Sequence, residues 1–223
     1  MHPSTAVLLS AGLDSAVLAA SEARSARVHP IYVSAGLAWE QSELDALDRL
    51  LQHLPFVERV SPVARLSFSV QDLYPATHWA LRGEPPAFDT PDEDVYLTGR
   101  NVALLSKAAI YCAQHGIGRI VLGPLAGNPF PDATPQFFAA MAHALSLGLA
   151  HRLAIEAPFA AMSKSDVIRL GIELGVPLAR TLSCMNPQNG LHCGRCSKCR
   201  ERRDAFSTAH VTDPTRYAAV PVR

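Results

Sequence analysis

Four of the chain's five cysteines lie between positions 184 and 199, as Cys184, Cys193, Cys196 and Cys199. The spacing C-x8-C-x2-C-x2-C offers four soft ligands, three of them in a tight knuckle containing Gly194. Four thiolates with no open position suit a structural, tetrahedral zinc ion. The competing cofactor is a 4Fe–4S cluster, but the ferredoxin run continues with x3-C-P, and position 203 here is Arg203. Adjacent Arg195, Lys198 and Arg200 would offset the charge of a tetrathiolate centre. Clustering of this kind in a leaderless chain points to metal before disulfide. The fifth cysteine, Cys112, stands alone in an apolar helical stretch and reads as a core residue.

A second group sits near the N-terminus, in Ser10-Ala11-Gly12-Leu13-Asp14-Ser15. It joins the apolar run 5–10 (TAVLLS) to a helix-forming stretch beginning at Asp14, so it reads as strand, tight turn, helix. Unpaired N–H groups and the positive dipole end of that helix would face the crevice at the sheet's carboxyl edge, where an anion can bind. Gly12 permits close backbone approach, the Ser10 and Ser15 hydroxyls add donors, and Asp14 could hold a magnesium ion. The candidate nucleotide-binding residues are Leu9, Ser10, Ala11, Gly12, Leu13, Asp14, Ser15, Ala16, Val17 and Leu18. The plainer alternative is a capped turn, with Ser10 or Asp14 capping the helix. No Gly-x4-Gly-Lys-Ser/Thr loop is present, and Gly116-Ile117-Gly118 precedes a strand and lacks the third glycine of a dinucleotide fingerprint. Transfer of a terminal phosphate is thereby disfavoured.

These groups need a scaffold, and the hydrophobic periodicity predicts one. Strand candidates are residues 5–10, 29–33, 56–61, 120–122 and 153–156. Helices are predicted from Ser42, over 101–114 with Gly116 as the stop, and from Thr134 with Pro135 in the first turn. A further helix opens on the capping box Ser163/Asp166 and ends near Gly175. Strands and helices alternating in this way predict a doubly wound α/β fold with a parallel sheet. Lys164 lies in the first turn of the capped helix, where a cation opposes the dipole. Its expected role is to neutralise phosphate at the crevice edge, against the alternative of a surface lysine. Residues 74–99 break the regularity with four prolines and an acidic cluster, and read as a mobile flap over the site or as disorder.

Composition narrows the class. The chain has 223 residues, 20 basic and 20 acidic side chains and 48% hydrophobic content. Zero formal charge argues against a protein held to nucleic acid mainly through phosphates, and the one basic run, 195–203, is interrupted by Glu201 and reads as a solvated helix. A non-catalytic zinc knuckle contacting nucleic acid is the alternative reading of that run. No apolar run reaches the roughly 18 residues of a membrane span, so a cytoplasmic protein is expected.

The loop S-A-G-L-D-S resembles the S-G-G-x-D-S loop of ATP pyrophosphatases, which split ATP between its α and β phosphates and transfer AMP to a substrate oxygen. Ala11 stands at their second-position glycine, where a methyl group would narrow the cradle or require negative φ. Residues 156–176 (EAP…SKSDVIRLGIELGV), 181–200 (TLSC…CGRCSKCR) and 96–101 (YLTGRN) extend the likeness. Over nearly its whole length the chain resembles the 7-cyano-7-deazaguanine synthase family. The resemblance implies a five-stranded parallel sheet in the order 3-2-1-4-5, residues 1–223 as one domain with a zinc-binding segment at 181–206, and a homodimer. It implies ATP, magnesium and one structural zinc on Cys184, Cys193, Cys196 and Cys199.

The implied reaction belongs to queuosine biosynthesis. The carboxylate of 7-carboxy-7-deazaguanine is adenylated, ammonia displaces AMP to give the amide, and a second ATP activates the amide for elimination to the nitrile. No general base of high specificity is required by this chemistry. Asp14, Lys164 and Arg100 are the expected catalytic residues, and Asn101 and Asp132 the expected substrate-binding residues. The alternative reading puts Arg100 on the surface and Asn101 as the cap of its helix. Residues 127–137 resemble the family's base-recognition stretch Y-P-D-C-R-P-E-F, but Ala133, Thr134 and Gln136 stand where it has Cys, Arg and Glu. Asp132 is the candidate base-edge acceptor, or else a residue of the turn before the helix. A related ligase acting on a different carboxylate therefore stays open.

Overall fold

The computed structural model describes residues 4–219. The first strand, β1 (Ser4–Leu8), turns at once into α1 (Leu13–Ala23), and β2 (Arg27–Ser34) follows. Next come α2 (Glu40–Leu51), β3 (Ala64–Ser67) and the short α3 (Trp79–Arg82). The second half runs α4 (Arg100–His115), β4 (Arg119–Val121), α5 (Pro135–Gly148), β5 (Ala154–Glu156), α6 (Lys164–Glu173) and α7 (Ser197–Ala209). All five strands pair in parallel, in the order β3-β2-β1-β4-β5. Because side chains alternate across a strand, Val7, Val28 and Val121 face one core with α1, α2, α6 and α7. Ala6, Ile31, Ile120 and Leu122 face a second core with α4 and α5. Cys112 is fully buried in the latter, and burial pushes its thiol up to about 12.

The predicted elements hold with two corrections. The third strand is not residues 56–61: Phe56 takes φ +59° and opens a 3-10 turn, Val57–Arg59, and only Val60 and Ser61 touch the sheet, Val60 bridging to Val28 and Ser61 N donating to the Val28 carbonyl. The edge strand comes later, at Ala64–Ser67, where alternate half-buried and exposed residues suit a one-sided edge. The second helix starts at Glu40, two residues before Ser42, because the Glu40 carboxylate folds back to accept from the Ala35 and Gly36 N–H groups at 2.7 and 3.1 Å. Residues 74–99 are folded. They carry α3 and a 3-10 turn, Asp92–Val95, and bury Ala80, Val95 and Leu97 in the core. The strand order 3-2-1-4-5 changes direction between β1 and β4, so the loops after these two strands splay apart and open a crevice at the sheet's carboxyl edge.

Candidate active site and metal centre

Two cavities of about 350 and 310 Å³ open in that crevice. The smaller is walled by Leu8, Ile31, Tyr32, Val33 and Leu122 at the strand ends. The larger lies under the flap and the knuckle, against Trp39, Trp79, Leu97 and Met185. Ser10, Gly12, Asp14, Glu43 and Arg100 line both, and so mark the place where the two meet.

The loop between β1 and α1 forms the floor of this junction. Among the described residues no side chain caps α1, so the plainer reading of a merely capped turn does not hold, and the first-turn N–H groups are open to the crevice. Ser15 Oγ accepts from Ser10 N and donates to Gly12 O, which curls the loop. Gly12 has φ −60°, so it serves by its size: a methyl group there would come within 3.3 Å of Ser10 Oγ and 3.7 Å of Ser15 Oγ. Ala11 has φ +61°, not the negative φ its methyl was expected to require. Its carbonyl accepts from Leu182 N at 2.9 Å, and its side chain is buried away from both cavities, leaving the cradle as wide as a glycine would. Leu9 and Leu13 reach the cavity walls, but Ala16, Val17 and Leu18 are fully buried behind α1 and face the core and α6.

Lys164 is in the crevice. Its Nζ donates to Asp14 Oδ2 at 3.0 Å and to Glu201 Oε1 at 2.6 Å. Burial alone would lower its pKa, yet the two carboxylates outweigh it and the net shift is upward, so the ammonium stays charged. Glu201, on α7, was not foreseen. It also takes Lys198 Nζ at 2.8 Å, and although burial opposes it, Lys164 and Lys198 bring its carboxyl down to about 2. Asp14 Oδ1 is buried with no partner among the described residues, a free acceptor at the junction and a suitable ligand for a divalent cation. Arg100 likewise keeps a buried Nε without a partner.

Asn101 and Asp132 lie on the wall of the smaller cavity but engage one another. The Asp132 carboxylate accepts from Asn101 N at 3.1 Å and Asn101 Nδ2 at 3.3 Å, and the Asp132 carbonyl takes Nδ2 at 2.9 Å. Asp132 is thus the cap on α4, which begins after Gly99 at φ +76°. Burial raises its pKa, against these hydrogen bonds. Thr134 caps α5 by accepting from Phe137 N at 3.1 Å, and Gln136 is exposed, so of the three altered positions only Ala133 reaches the cavity.

The four cysteines converge. Their sulfurs all lie within 4.8 Å of one another, with Cys184–Cys196, Cys193–Cys199 and Cys196–Cys199 at 4.0, 3.8 and 3.5 Å. Backbone N–H groups of Asn186, Cys193 and Arg195 point at the sulfurs, as thiolate ligands require. This group could hold a metal ion. The basic run beside it is not a solvated helix. Arg202 is fully buried and donates to Leu178 O, Thr181 Oγ1, Ser183 Oγ and Thr215 Oγ1. Arg200 donates to the Phe88 and Thr90 carbonyls, Arg203 lies over the Phe88 ring, and Lys198 reaches Asp92. The knuckle helix therefore clasps the flap, and Lys198 and Arg200, expected to offset the thiolates, serve that clasp.

Sheet order, uncapped first helix and twin-chambered crevice define a doubly wound α/β protein of the ATP pyrophosphatase fold. The model of the queuosine biosynthesis protein QueC family matches residues 4–210. The chain belongs to that family. It is 35% identical over 222 residues to 7-cyano-7-deazaguanine synthase of Anaeromyxobacter dehalogenans (strain 2CP-C), covering 95% of this chain and 94% of that one. To the enzyme of the same name from Methanothrix thermoacetophila it is 34% identical over 220 residues, covering 94% and 96%. Among solved structures, the U34-tRNA thiolase NcsA from Methanococcus maripaludis with its 4Fe-4S cluster superposes at a TM-score of 0.51 and 11% identity, over 93% of this chain and 68% of that one. A 4-thiouridine synthetase in an RNA complex with bound ATP gives 0.50 at 13% identity, over 93% and 52%. These two likenesses show the fold alone. Among the described residues no helix is long and apolar enough to cross a membrane.

Proposed function

We propose that this chain is an ATP-dependent carbon–nitrogen ligase that converts 7-carboxy-7-deazaguanine to 7-cyano-7-deazaguanine through the amide, releasing AMP and pyrophosphate at each activation. The observation that carries this reading is the junction of two cavities over an uncapped helix N-terminus, in a chain of this family. The smaller cavity takes ATP and the larger one takes the acid, whose flat bicyclic ring suits the stacked Trp39 and Trp79, 5.7 Å apart and nearly parallel. A carboxylate oxygen is a poor leaving group and AMP a good one, so the chain's task is to align the acid with the α-phosphate and neutralise the charge that grows on pyrophosphate. The N–H groups of α1, the Ser10 hydroxyl, Lys164 and Arg100 supply that charge stabilisation, while Ser15 holds the loop through Gly12 O. Asp14, through its free oxygen, would hold magnesium, which offers Lewis-acid neutralisation of the phosphates.

The metal of the cysteine centre is zinc in this reading. Tetrahedral Zn–S bonds of about 2.3 Å put sulfurs about 3.8 Å apart, close to the separations seen, whereas an iron–sulfur cluster spreads its ligands around four irons. Its role is structural, holding residues 181–206 as one part of a single catalytic domain. A cytoplasmic homodimer acting on a small molecule and ammonia, without nucleic acid or membrane, completes the proposal. Exposed Val102 and Ile110 on α4 and Leu147 on the neighbouring α5 support a self-association face. The test is mass spectrometry of products from enzyme, ATP, magnesium, ammonium and the deazaguanine acid. Successive amide and nitrile masses are expected; their absence, with AMP formed on another acid, would overturn the substrate assignment.

A further inference from the structure

One carboxylate at the junction has no place in that account. Glu40 and Glu43 stand one turn apart on α2 and are both buried, yet they are used differently. The Glu40 carboxylate is taken up by Ser34 Oγ and the Ala35 and Gly36 N–H groups, which fixes the strand-to-helix turn. Glu43 lines both cavities, accepts from the Tyr32 hydroxyl at 2.9 Å through Oε2, and makes no ion pair among the described residues. A carboxylate has about four acceptor sites, so much of its capacity is turned to the crevice. An acid buried without an ion-pair partner weakens the fold, and such groups concentrate where chemistry needs them.

Resting on the ligase reading above, and against the expectation from sequence that no specific base is needed, we infer that Glu43 is the proton acceptor when ammonia attacks the acyl adenylate. The nitrogen lone pair forms the C–N bond while the carbonyl π pair moves to oxygen. One N–H proton passes to the Glu43 carboxylate. The oxygen lone pair then restores C=O as the C–O bond to AMP breaks, AMP leaving with that electron pair and the glutamic acid returning its proton to solvent. Adenylation of the acid itself moves no proton, so the two steps separate cleanly. The groups facing Glu43 are Tyr32 on β2, Arg100 on α4, and Glu40 and Trp39 on its own side. Burial raises its carboxyl to about 7, with Arg100, Tyr32 and Trp39 opposing and Glu40 assisting. A base of that strength is half ionised at neutral pH, the condition that suits proton transfer there.

The experiment compares wild type with Glu43→Gln, which keeps shape and an acceptor for Tyr32. Exchange of labelled pyrophosphate into ATP, with the acid and without ammonium, reads adenylation and is expected to stay within about threefold. Amide formation is expected to fall about 10²- to 10⁴-fold. At constant free ammonia, wild-type amide formation should rise with pH through about 7, and Glu43→Gln should lack that limb. Tyr32→Phe keeps the carboxylate but removes a bond that lowers its pKa, so the limb should move to higher pH; this variant decides the matter if Glu43→Gln does not fold. Amide formation by Glu43→Gln near the wild-type rate, an equal loss of exchange and amide formation, or an unmoved limb in Tyr32→Phe overturns the proposal. Failure of the wild type to exchange pyrophosphate or form amide overturns the ligase reading instead, and the inference with it.

Discussion

Gly171→Ala should destabilise the protein although it removes a glycine from a helix. Near the end of α6 the change alone would favour the helix by about 0.8–1 kcal/mol. A methyl group at this position, however, would stand 2.8 Å from Val17 Cγ2 and 3.1 Å from Leu178 Cδ2. Carbon atoms pack at about 3.5–4.0 Å, so α6 and α1 must separate or side chains must leave their rotamers. Val17 is fully buried and Leu178 nearly so, which leaves no empty space to move into. Overpacking costs about 1–3 kcal/mol, and two contacts this short place it toward the upper end, giving a net loss of up to about 2 kcal/mol. For a chain of this length that is a fall in Tm of at most about 4–8 °C. The same contact sets the distance between the helix carrying Asp14 and the helix carrying Lys164, so KM for ATP should rise as well. Urea unfolding of Gly171→Ala, Val17→Ala and the double variant forms a cycle in which Val17→Ala should relieve the clash by about 1 kcal/mol. A gain in stability from Gly171→Ala, or a cycle without coupling, refutes the reasoning.

Other outcomes follow from the site. Lys164→Ala should lower turnover at saturating ATP by about 10²-fold or more, since a preorganised charge is lost at the phosphates; wild-type turnover would remove Lys164 from the mechanism. The carboxyl of Glu201 is depressed, so the stability it lends is complete above about 4.5 and is lost as pH falls toward 2. That contribution is at most about 3 kcal/mol, because one pKa unit corresponds to about 1.4 kcal/mol. The stability gap between wild type and Glu201→Gln should therefore close across that window in urea titrations, and a constant gap contradicts the assignment. Metal analysis should find one zinc per chain, falling in Cys196→Ser. Chelation should raise amide hydrogen exchange in residues 85–95 as well as in the knuckle, because Arg200 holds the Phe88 and Thr90 carbonyls. Iron in the purified protein would replace the zinc reading.

The scaffold and the two motif sites were legible because they rest on local signals. Ser163 and Asp166 make the capping box their spacing implies, Thr134 and Pro135 open α5, and the cysteine spacing closes into a ligand set. The failures are of a different kind. Phe56 and Val57 have strand composition, but a positive φ at Phe56 and their exposure show that the local turn prevailed over β propensity. In the sequence Glu43 is one more acid beside the predicted helix start at Ser42, and Glu201 an interruption of a basic run. Their roles depend on which side chains approach from β2, α4 and α6, and that is decided by tertiary packing. A signal for Glu43 existed in its place just after a central strand, at the sheet's carboxyl edge. The buried Arg202 had none, since a run of arginines reads the same whether it meets water or hydroxyl groups.

The stacked indoles have an optical consequence. Trp39 and Trp79 are the chain's two tryptophans, and both line the larger cavity, one from the end of the loop before α2 and the other from the flap. The whole indole emission of the native protein therefore originates at the acceptor chamber. Intrinsic fluorescence can follow ligand arrival without any introduced dye, and Trp79→Phe would assign the signal between the two indoles.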